Sequence, residues 1–326
     1  MTDPLGISRR QALTYGGLAA AAPLLPATRR GPAAPRTPLL SWLPPQQVPA
    51  PVASTDAPSL AEYGSSLYMA WRGGPGDNSL WWSSFDGTSW AGQRRLPAPA
   101  ASTFGPSLAV FGPSLFMAWH GGPGDNSLWW SSFDGTSWAG PQRVPSPVAS
   151  AYAPSLAVWG SRLFMAWHGA PGDNSLWWSY FDGASWAGQH RLPAPAASTL
   201  GPSLAQYDGR LFMAWHGGPG DNSLWWNAFN GDGWDGPQRA PAPMASTGRP
   251  SLTQFSDRLY MAFHGGPGDN SLWWTVFDGY TWAGPTRVPA PAASTLGPSL
   301  ATNNAYLYMA WHGGPGDNSL WWSGAS

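Results

Sequence analysis

The stretch Gly73-Gly74-Pro75-Gly76-Asp77-Asn78-Ser79-Leu80-Trp81-Trp82 decides the fold of this chain, because it returns five more times almost unchanged. Its aspartate recurs every 48 residues, with no insertion or deletion between copies, at Asp125, Asp173, Asp221, Asp269 and Asp317. A fixed period of this size is typical of solenoids, propellers and other repeat arrays. The chain is therefore a repeat protein, and each local motif has to be interpreted within that period.

One period contains four short strand candidates separated by Gly, Pro, Asp and Asn. In the second copy they are residues 106–111, 114–120, 127–133 and 137–144. Along the second candidate, from Leu115 to His120, the odd-numbered and the even-numbered side chains are both mostly apolar, although they point to opposite faces. A sheet that is apolar on both faces needs a neighbour on each, as does a blade of a β-propeller.

The two ends of the repeat array predict how the ring closes. Residues 41–49 match the fourth strand of the copy that lies 48 residues further on, yet no first three strands precede them. The last copy stops at Ser323, before its own fourth strand. We therefore predict an all-β, six-bladed β-propeller over residues 41–326, with four-stranded blades and an N-terminal strand that completes the last blade. The alternative is an open solenoid, which would need neither the extra fourth strand at the start nor the missing fourth strand at the end.

The composition agrees with strands and restricts the partners. The 326 residues include 41 Gly, 36 Pro and 24 Trp but no Lys, so good helix formers are scarce. The formal net charge is −1 and the repeats contain no basic run, so we expect neither nucleic acid nor membrane insertion. The absence of cysteine excludes disulfides, thiolate metal sites and a cysteine nucleophile. We expect no cofactor.

Residues 1–40 precede the repeats and resemble a twin-arginine export signal followed by a spacer. The pattern is Ser8-Arg9-Arg10-Gln11-Ala12-Leu13 and then an apolar stretch over residues 15–26. That stretch is too short and too rich in Gly and Ala for a membrane span, which needs about 20 apolar residues. We expect a protein secreted by the twin-arginine pathway, extracellular or associated with the cell surface. The alternative is a basic tail on a cytoplasmic protein.

Three short motifs in each copy carry a resemblance to a known family, namely Asp125-Asn126-Ser127-Leu128, Phe133-Asp134-Gly135 and Trp138. The repeat resembles that of bacterial fucose-binding propeller lectins and, more distantly, that of the fungal six-bladed fucose lectins. The resemblance covers residues 41–326 and implies a multivalent carbohydrate-binding protein whose partners are glycans or glycoconjugates. The fungal lectins carry an Arg at the start of the second strand, where this chain has Ser66, Ser114, Arg162, Arg210, Arg258 and Tyr306.

The Asp134-Gly135 turn and Trp138 are also similar to the Asp-box turn of sialidases, shortened by one residue. In such a turn the Asp accepts backbone hydrogen bonds and the Trp packs between strands. Asn230 replaces the Asp in the fourth copy, as expected where only a hydrogen-bond acceptor is needed. We expect this turn to be structural.

The candidate sugar-binding residues lie at the opposite end of the third strand, around the turn with the sequence Gly-Gly-Pro-Gly-Asp-Asn, which we call the GGPGDN turn. There an Asp and a basic residue are suited to hydrogen bonds with hydroxyl groups, while an indole packs on the C–H face of a sugar. The aspartates are Asp77, Asp125, Asp173, Asp221, Asp269 and Asp317. The basic residues are Arg72, His120, His168, His216, His264 and His312. The alternative is a tight hairpin with Gly and Asn at positive φ, in which the His only ends the strand.

Two further rings of side chains belong to the predicted site. One Trp of each doublet is expected to line the crevice between blades, and most other Trp are expected in the core. The crevice candidates are Trp81, Trp129, Trp177, Trp225, Trp273 and Trp321. Planar donors on the fourth strand are suited to vicinal hydroxyls or a carboxylate, or else only solvate the rim. They are Arg95, Arg143, Arg191, Arg239 and Arg287, with Gln47 in the N-terminal segment.

Two kinds of site are disfavoured by the repetition itself. One histidine per blade places the histidines far apart around a ring, so they cannot share a metal ion. A glycosidase must gather different groups, such as two carboxylates, at one place, whereas these copies are nearly identical and the only Glu is Glu62. The first hypothesis is therefore a secreted multivalent lectin. The alternatives are a non-catalytic scaffold that binds protein or cell wall and, less favoured, a glycoside hydrolase or sialidase-like enzyme.

Overall fold

The computed structural model describes residues 40–303 and 305–326, which form six four-stranded antiparallel sheets. Each sheet packs against the next around a central channel, so the sheets are the blades of a ring. The predicted all-β, six-bladed β-propeller is confirmed. Within the described residues, no helix has the length and apolar character that a membrane crossing requires. The predicted export signal lies outside the described residues.

The four strands of a blade run in order from the channel to the rim. The first strands are Ser59–Tyr63, Ser107–Phe111, Ser155–Trp159, Ser203–Tyr207, Ser251–Phe255 and Ser299–Thr302. The second strands are Ser66–Arg72, Ser114–His120, Arg162–His168, Arg210–His216, Arg258–His264 and Leu307–His312. The third strands are Leu80–Phe85, Leu128–Phe133, Leu176–Phe181, Leu224–Phe229, Leu272–Phe277 and Leu320–Ala325. The outer strands are Arg94–Arg95, Gln142–Arg143, His190–Arg191, Gln238–Arg239, Thr286–Arg287 and, in the sixth blade, Gln46–Gln47.

The N-terminal segment closes the ring, as predicted. Gln46 and Gln47 pair with Trp322 and Trp321 of the last third strand. The pairing continues on both sides, because the backbone N–H of Leu43 donates to Gly324 O and that of Val48 to Leu320 O, each at 2.8 Å. The sixth blade therefore combines strands from both ends of the described chain.

A second closure runs around the channel through the serines that begin the first strands. The backbone N–H of Leu108 in the second blade donates to Ser59 Oγ in the first blade at 2.9 Å. The same bond recurs between each pair of neighbouring blades, and the bond from Leu60 to Ser299 Oγ, 3.0 Å long, joins the first blade to the sixth. Six hydrogen bonds thus link the blades in an unbroken circle.

The hydrophobic core lies between the blades. On the second strand of the second blade, side chains on both faces are buried, as the pattern predicts. One face packs against the first blade, where Trp82 contacts Phe133 with ring centroids 5.2 Å apart. A buried Trp removes roughly 150–250 Å² from water, which contributes on the order of 4–6 kcal/mol. Repeated around the ring, this packing stabilises a chain without disulfides.

The Asp134-Gly135 turn is structural, as predicted. Asp134 Oδ1 accepts the backbone N–H of Ser137 at 2.8 Å and that of Thr136 at 2.7 Å. These hydrogen bonds lower the pKa of Asp134 to about 2. Asn230 fills the same role in the fourth blade, where its Oδ1 accepts two backbone N–H groups.

Candidate functional site

The GGPGDN turn fixes an aspartate at one end of each third strand. Gly124 has φ = +83°, a conformation that side chains other than glycine rarely adopt, and the N–H of Asp125 donates to Gly122 O at 2.9 Å. A Cβ at Gly121 would overlap the Asp125 side chain, so glycine there allows the carboxylate to fold back over the turn. The turn sequence therefore sets the position of the carboxylate.

That carboxylate orients the first tryptophan of the doublet. Asp125 Oδ2 accepts Trp129 Nε1–H at 2.7 Å, and Oδ1 accepts the backbone N–H of Ser127 at 2.9 Å. The Asp–Trp hydrogen bond occurs in every blade, at 2.7–2.8 Å. The first tryptophan of the doublet is half-buried in all six copies. Each blade thus presents one indole whose edge is held and whose body is partly open to solvent.

The environment of Asp125 keeps this carboxylate ionised. Partial burial raises its pKa, but hydrogen bonds from Ser127 and Trp129 and the nearby Arg143 guanidinium outweigh that effect, so the pKa lies below its usual value. The aspartates of the other five turns have pKa values shifted in the same direction. A charged acceptor therefore stands beside the indole in each blade at neutral pH.

The indole borders an open crevice between blades. In the second blade this crevice has a volume of about 190 Å³ and is lined by Pro99, Ala101, Trp119, Asp125, Trp129 and Pro141. Pro99 and Ala101 belong to the connection between the first and second blades, and Trp129 packs on the cluster that joins those blades. The structure thus brings Asp125 and Trp129 together in a concave site.

The arginines of the outer strands stand beside the crevice. Arg143 is the register partner of Trp129 and is exposed, so its guanidinium is available at the rim. In the fourth blade, Arg239 donates through Nε to Ser223 Oγ at 2.8 Å. Gln47 makes the equivalent bond to Ser319 Oγ at 2.6 Å in the sixth blade. At least two members of this ring therefore also brace the third strand.

The five candidate histidines lie elsewhere. Each is only 3–7% exposed, in contrast to the open position that a sugar-binding role requires. His120 Nδ1 lies 2.8 Å from Gly121 O and Nε2 lies 3.0 Å from Ser150 O, in the connection to the third blade. Arg72 makes the equivalent contact in the first blade, where its Nε donates to Ser102 O at 3.0 Å. The same contact joins consecutive blades at His168, His264 and His312, whereas His216 Nε2 has no partner among the described residues. The accessible polar groups are therefore the Asp in the crevice and the Arg beside it.

Sequence reasoning missed the tryptophan of the second strand as part of the site. Trp119 lines the crevice although it is almost fully buried. Its counterparts Trp71 and Trp167 each have a buried Nε1–H without an acceptor among the described residues. Core tryptophans such as Trp138 and Trp274 have an unpaired buried Nε1–H in the same way, so this feature is not specific to the crevice. Recurrence in five of the six copies is the only sequence signal for Trp119, and a core residue shows it equally.

No metal centre is apparent in residues 40–303 and 305–326, where no group of three or more His, Cys, Asp or Glu side chains converges.

The fold defines the class of this protein as a six-bladed β-propeller, and solved structures share that fold. No known family model matches the sequence, and no curated protein matches it either. A protein of unknown function from Dyadobacter fermentans gives a TM-score of 0.70 at 12% identity, over 89% of this chain and 99% of that one. The fucose-specific lectin from Aleuria aurantia gives 0.62 at 12% identity, over 86% and 96% of the two chains.

A third solved structure with this fold is an enzyme. Trypanosoma rangeli sialidase in complex with sialic acid gives a TM-score of 0.62 at 13% identity, covering 89% of this chain and 59% of the sialidase. Identities this low show a shared fold alone. The predicted resemblance to the propeller lectins is therefore confirmed for the fold.

Proposed function

We propose that this protein is a multivalent carbohydrate-binding protein with one glycan site in each crevice between blades. The observation that carries the proposal is the repeated pair of a charged aspartate and a half-buried indole, hydrogen-bonded to each other at 2.7–2.8 Å in all six blades. The likeness of the fold to a fucose-specific lectin supports the same reading.

The chemistry of the crevice suits a sugar. The indole face of Trp129 offers an apolar platform for C–H groups, and Asp125 retains lone pairs that can accept from hydroxyls. Arg143 adds a planar donor at the rim, in the register position opposite Trp129. Because the turn already holds the carboxylate and the indole in place, binding orders few side chains. A crevice of this size matches a single sugar ring better than a long oligosaccharide.

Several sites on one ring are expected to give a higher overall affinity for a glycan-coated surface than one site alone. A single crevice is expected to bind a monosaccharide with a Kd of about millimolar to micromolar. Several equivalent sites on one rigid ring raise the effective concentration at a glycan-coated surface and increase avidity by roughly 10²-fold or more.

Most glycoside hydrolases need two carboxyl groups near each other, and one repeat does not provide them. Asp125 and Asp134 flank the two ends of a six-residue third strand. At about 3.3 Å per residue they are roughly 20 Å apart, beyond the 5–9.5 Å that separates the two carboxyl groups of glycosidases. Binding without catalysis is therefore the function that the repeat supports best.

A glycan array, followed by titration with a soluble monosaccharide, tests the proposal. We expect signal on dense glycans and several equivalent monosaccharide sites, up to one per blade. Changing Trp225→Ala together with Arg239→Ala should remove one site and leave the others, while Asp134→Asn, which copies the natural Asn230, is the control that keeps all sites. Silence across the array, or loss of all binding from the one-blade change, would favour the scaffold or enzyme alternatives.

We also propose that the protein is exported by the twin-arginine pathway. The proposal rests on Arg9 and Arg10 followed by a weakly apolar stretch, in residues outside those that the structure describes. Replacing both arginines by lysine keeps the charge and should retain the protein in the cytoplasm, as judged by fractionation. Continued secretion of that variant would show that the segment acts in another way.

A further inference from the structure

The central channel opens on the face of the GGPGDN turns into a pocket of about 290 Å³, which we call the mouth pocket. Its walls are the segments that precede the first strands, so it lies on the axis of the ring and away from the crevices. The side chains that line it include Asp56, Phe104, Tyr152, Leu200, Arg249 and Leu296. This pocket plays no part in the proposed lectin function.

The mouth pocket breaks the sixfold repetition. One position in the six copies is Asp56, Phe104, Tyr152, Leu200, Gly248 and Leu296. The next position alternates between a residue with a side chain and glycine, as Ala57, Gly105, Ala153, Gly201, Arg249 and Gly297. These walls differ from one another around a single axis and enclose one space, so the pocket can take one ligand per ring.

The alternation has a steric cause that isolates Arg249. A Cβ on Gly105 would overlap the carbonyl oxygen of Ala57, and a Cβ on Gly297 would overlap that of Arg249 in the same way. The backbone of Arg249 therefore occupies the place that Ala57 and Ala153 occupy in two other copies. Only its side chain is new, and removing that side chain leaves a backbone arrangement that the ring already uses twice.

Arg249 brings a positive charge to the base of the mouth pocket. It is half-buried and also lines the narrow part of the channel formed by the Pro-Ser pairs that begin the first strands. Within residues 40–303 and 305–326, its guanidinium forms no hydrogen bond and no ion pair within 4 Å. Burial lowers the pKa of Arg249 and the Asp56 carboxylate opposes this effect, and an arginine stays protonated in proteins. A partly desolvated cation without a bonded partner is unfavourable until an anion joins it.

Asp56 is already engaged elsewhere. Its Oδ1 accepts the N–H of Ala57 at 2.6 Å and its Oδ2 accepts the N–H of Gly105 at 2.8 Å. These bonds hold the carboxylate against the backbone of two neighbouring segments, so it influences Arg249 from a distance rather than by contact.

The rest of the pocket is mostly apolar, and its aromatic wall is rigidly supported. The rings of Phe104 and Tyr152 are 5.4 Å apart and form one wall. Each ring packs edge-to-face on a buried histidine, His120 at 5.1 Å and His168 at 5.0 Å. The leucines at the corresponding position of the fourth and sixth copies supply apolar surface on other sides. An inorganic anion would pair with the arginine but leave these walls in water.

We propose that the mouth pocket binds one small organic carboxylate with an apolar or aromatic body. The carboxylate pairs with Arg249, for which a two-pronged contact is the favoured geometry, and the body packs against Phe104 and Tyr152. The volume is near the lower end of the range for small-molecule pockets, which suits a body of about one aromatic ring with a short chain.

Titration of the full chain with 3-phenylpropionate, followed by calorimetry, tests the proposal. The control ligand is 3-phenylpropanamide, which has the same shape without the charge. We expect a stoichiometry of one per ring and an affinity for the carboxylate at least about tenfold higher than for the amide, since charge-assisted hydrogen bonds are the stronger kind. Equal binding of the two, absence of binding by the carboxylate, or several sites per ring would overturn the proposal.

Two matched variants separate the charge from the wall. Arg249→Ala, which copies Ala57 and Ala153, should lower the affinity for 3-phenylpropionate at least about tenfold and abolish the preference over the amide. Phe104→Leu, which copies Leu200 and Leu296, should lower the affinity for both ligands by a similar factor. An unchanged preference in Arg249→Ala would refute the assignment. If that variant does not fold, Arg249→Gln, which also removes the charge, takes its place, and the wild-type comparison of acid and amide still decides.

Discussion

The crevices and the mouth pocket lie on the same face of the ring and are formed by the same repeat. They differ in how similar the six copies are at each place. In the crevices the Asp and the first Trp are identical in all six copies. At the axis the copies differ, and glycine alternates with larger residues. The reason is geometric, because rim positions are far apart and tolerate identical bulky residues, whereas axial positions share one volume. A repeat protein can thus carry many equal sites and one unique site.

Both regions depend on the closed ring, so opening it is the change with the largest expected effect. A chain that begins at residue 51 lacks the outer strand of the sixth blade and its backbone bonds to the last third strand. We expect a loss of about 5 kcal/mol or more from the bonds and the buried Val48, and a fall in Tm of roughly 10 °C or more, measured by calorimetry against a chain that begins at residue 41. An unchanged Tm would contradict the role of this strand.

The rim, unlike the axis, is expected to make stability depend on pH. Although burial raises the pKa of the six GGPGDN aspartates, hydrogen bonds outweigh it and their folded-state pKa values are lowered. A group with a lowered folded pKa stabilises the protein fully above its unfolded pKa, near 3.9, and this contribution disappears as the pH falls through the folded pKa. We expect Tm to decrease between about pH 5 and pH 2. A flat profile over that range would show that these bonds add no stability.

Removing one rim carboxylate is expected to have a smaller effect than opening the ring. Asp125→Ala leaves Ser127 N–H and Trp129 Nε1–H without their acceptor, which costs about 2 kcal/mol and lowers Tm by roughly 5 °C. Asp134→Asn at the other end of the strand is the control, because Asn230 makes the same backbone bonds in the fourth blade. Equal effects of the two substitutions would mean that the GGPGDN turn holds no special position.

The smallest effect on stability is expected at the axis. Arg249→Ala removes a side chain without hydrogen bonds to the described residues and copies the alanines of two other blades. We expect a change below about 0.5 kcal/mol, within the range of ordinary surface substitutions. A large drop in thermal stability would assign Arg249 a structural role and weaken the comparison between rim and axis.

The fold could be predicted from periodic and local features of the sequence. The 48-residue period, the alternating apolar faces and the orphan fourth strand at residues 41–49 are local or periodic features, and each one survived in the structure. These features are enough to predict the fold because a blade that is apolar on both faces must bury both of them. In a repeat protein, packing between two other blades does this. The structural role of the Asp134-Gly135 turn was predictable for a similar reason, since its hydrogen bonds stay within a few residues.

Which polar residues face solvent could not be predicted from the sequence, because it depends on contacts between blades. The strand pattern predicts on which face His120 lies, but not that the connection into the next blade covers it and supplies Ser150 O as a partner. Likewise, nothing in the repeat indicates that Arg249 and Asp56 influence each other, because their segments come to line one pocket only when the ring closes. Burial and pairing depend on neighbours from other blades, and a local pattern contains no information about those neighbours.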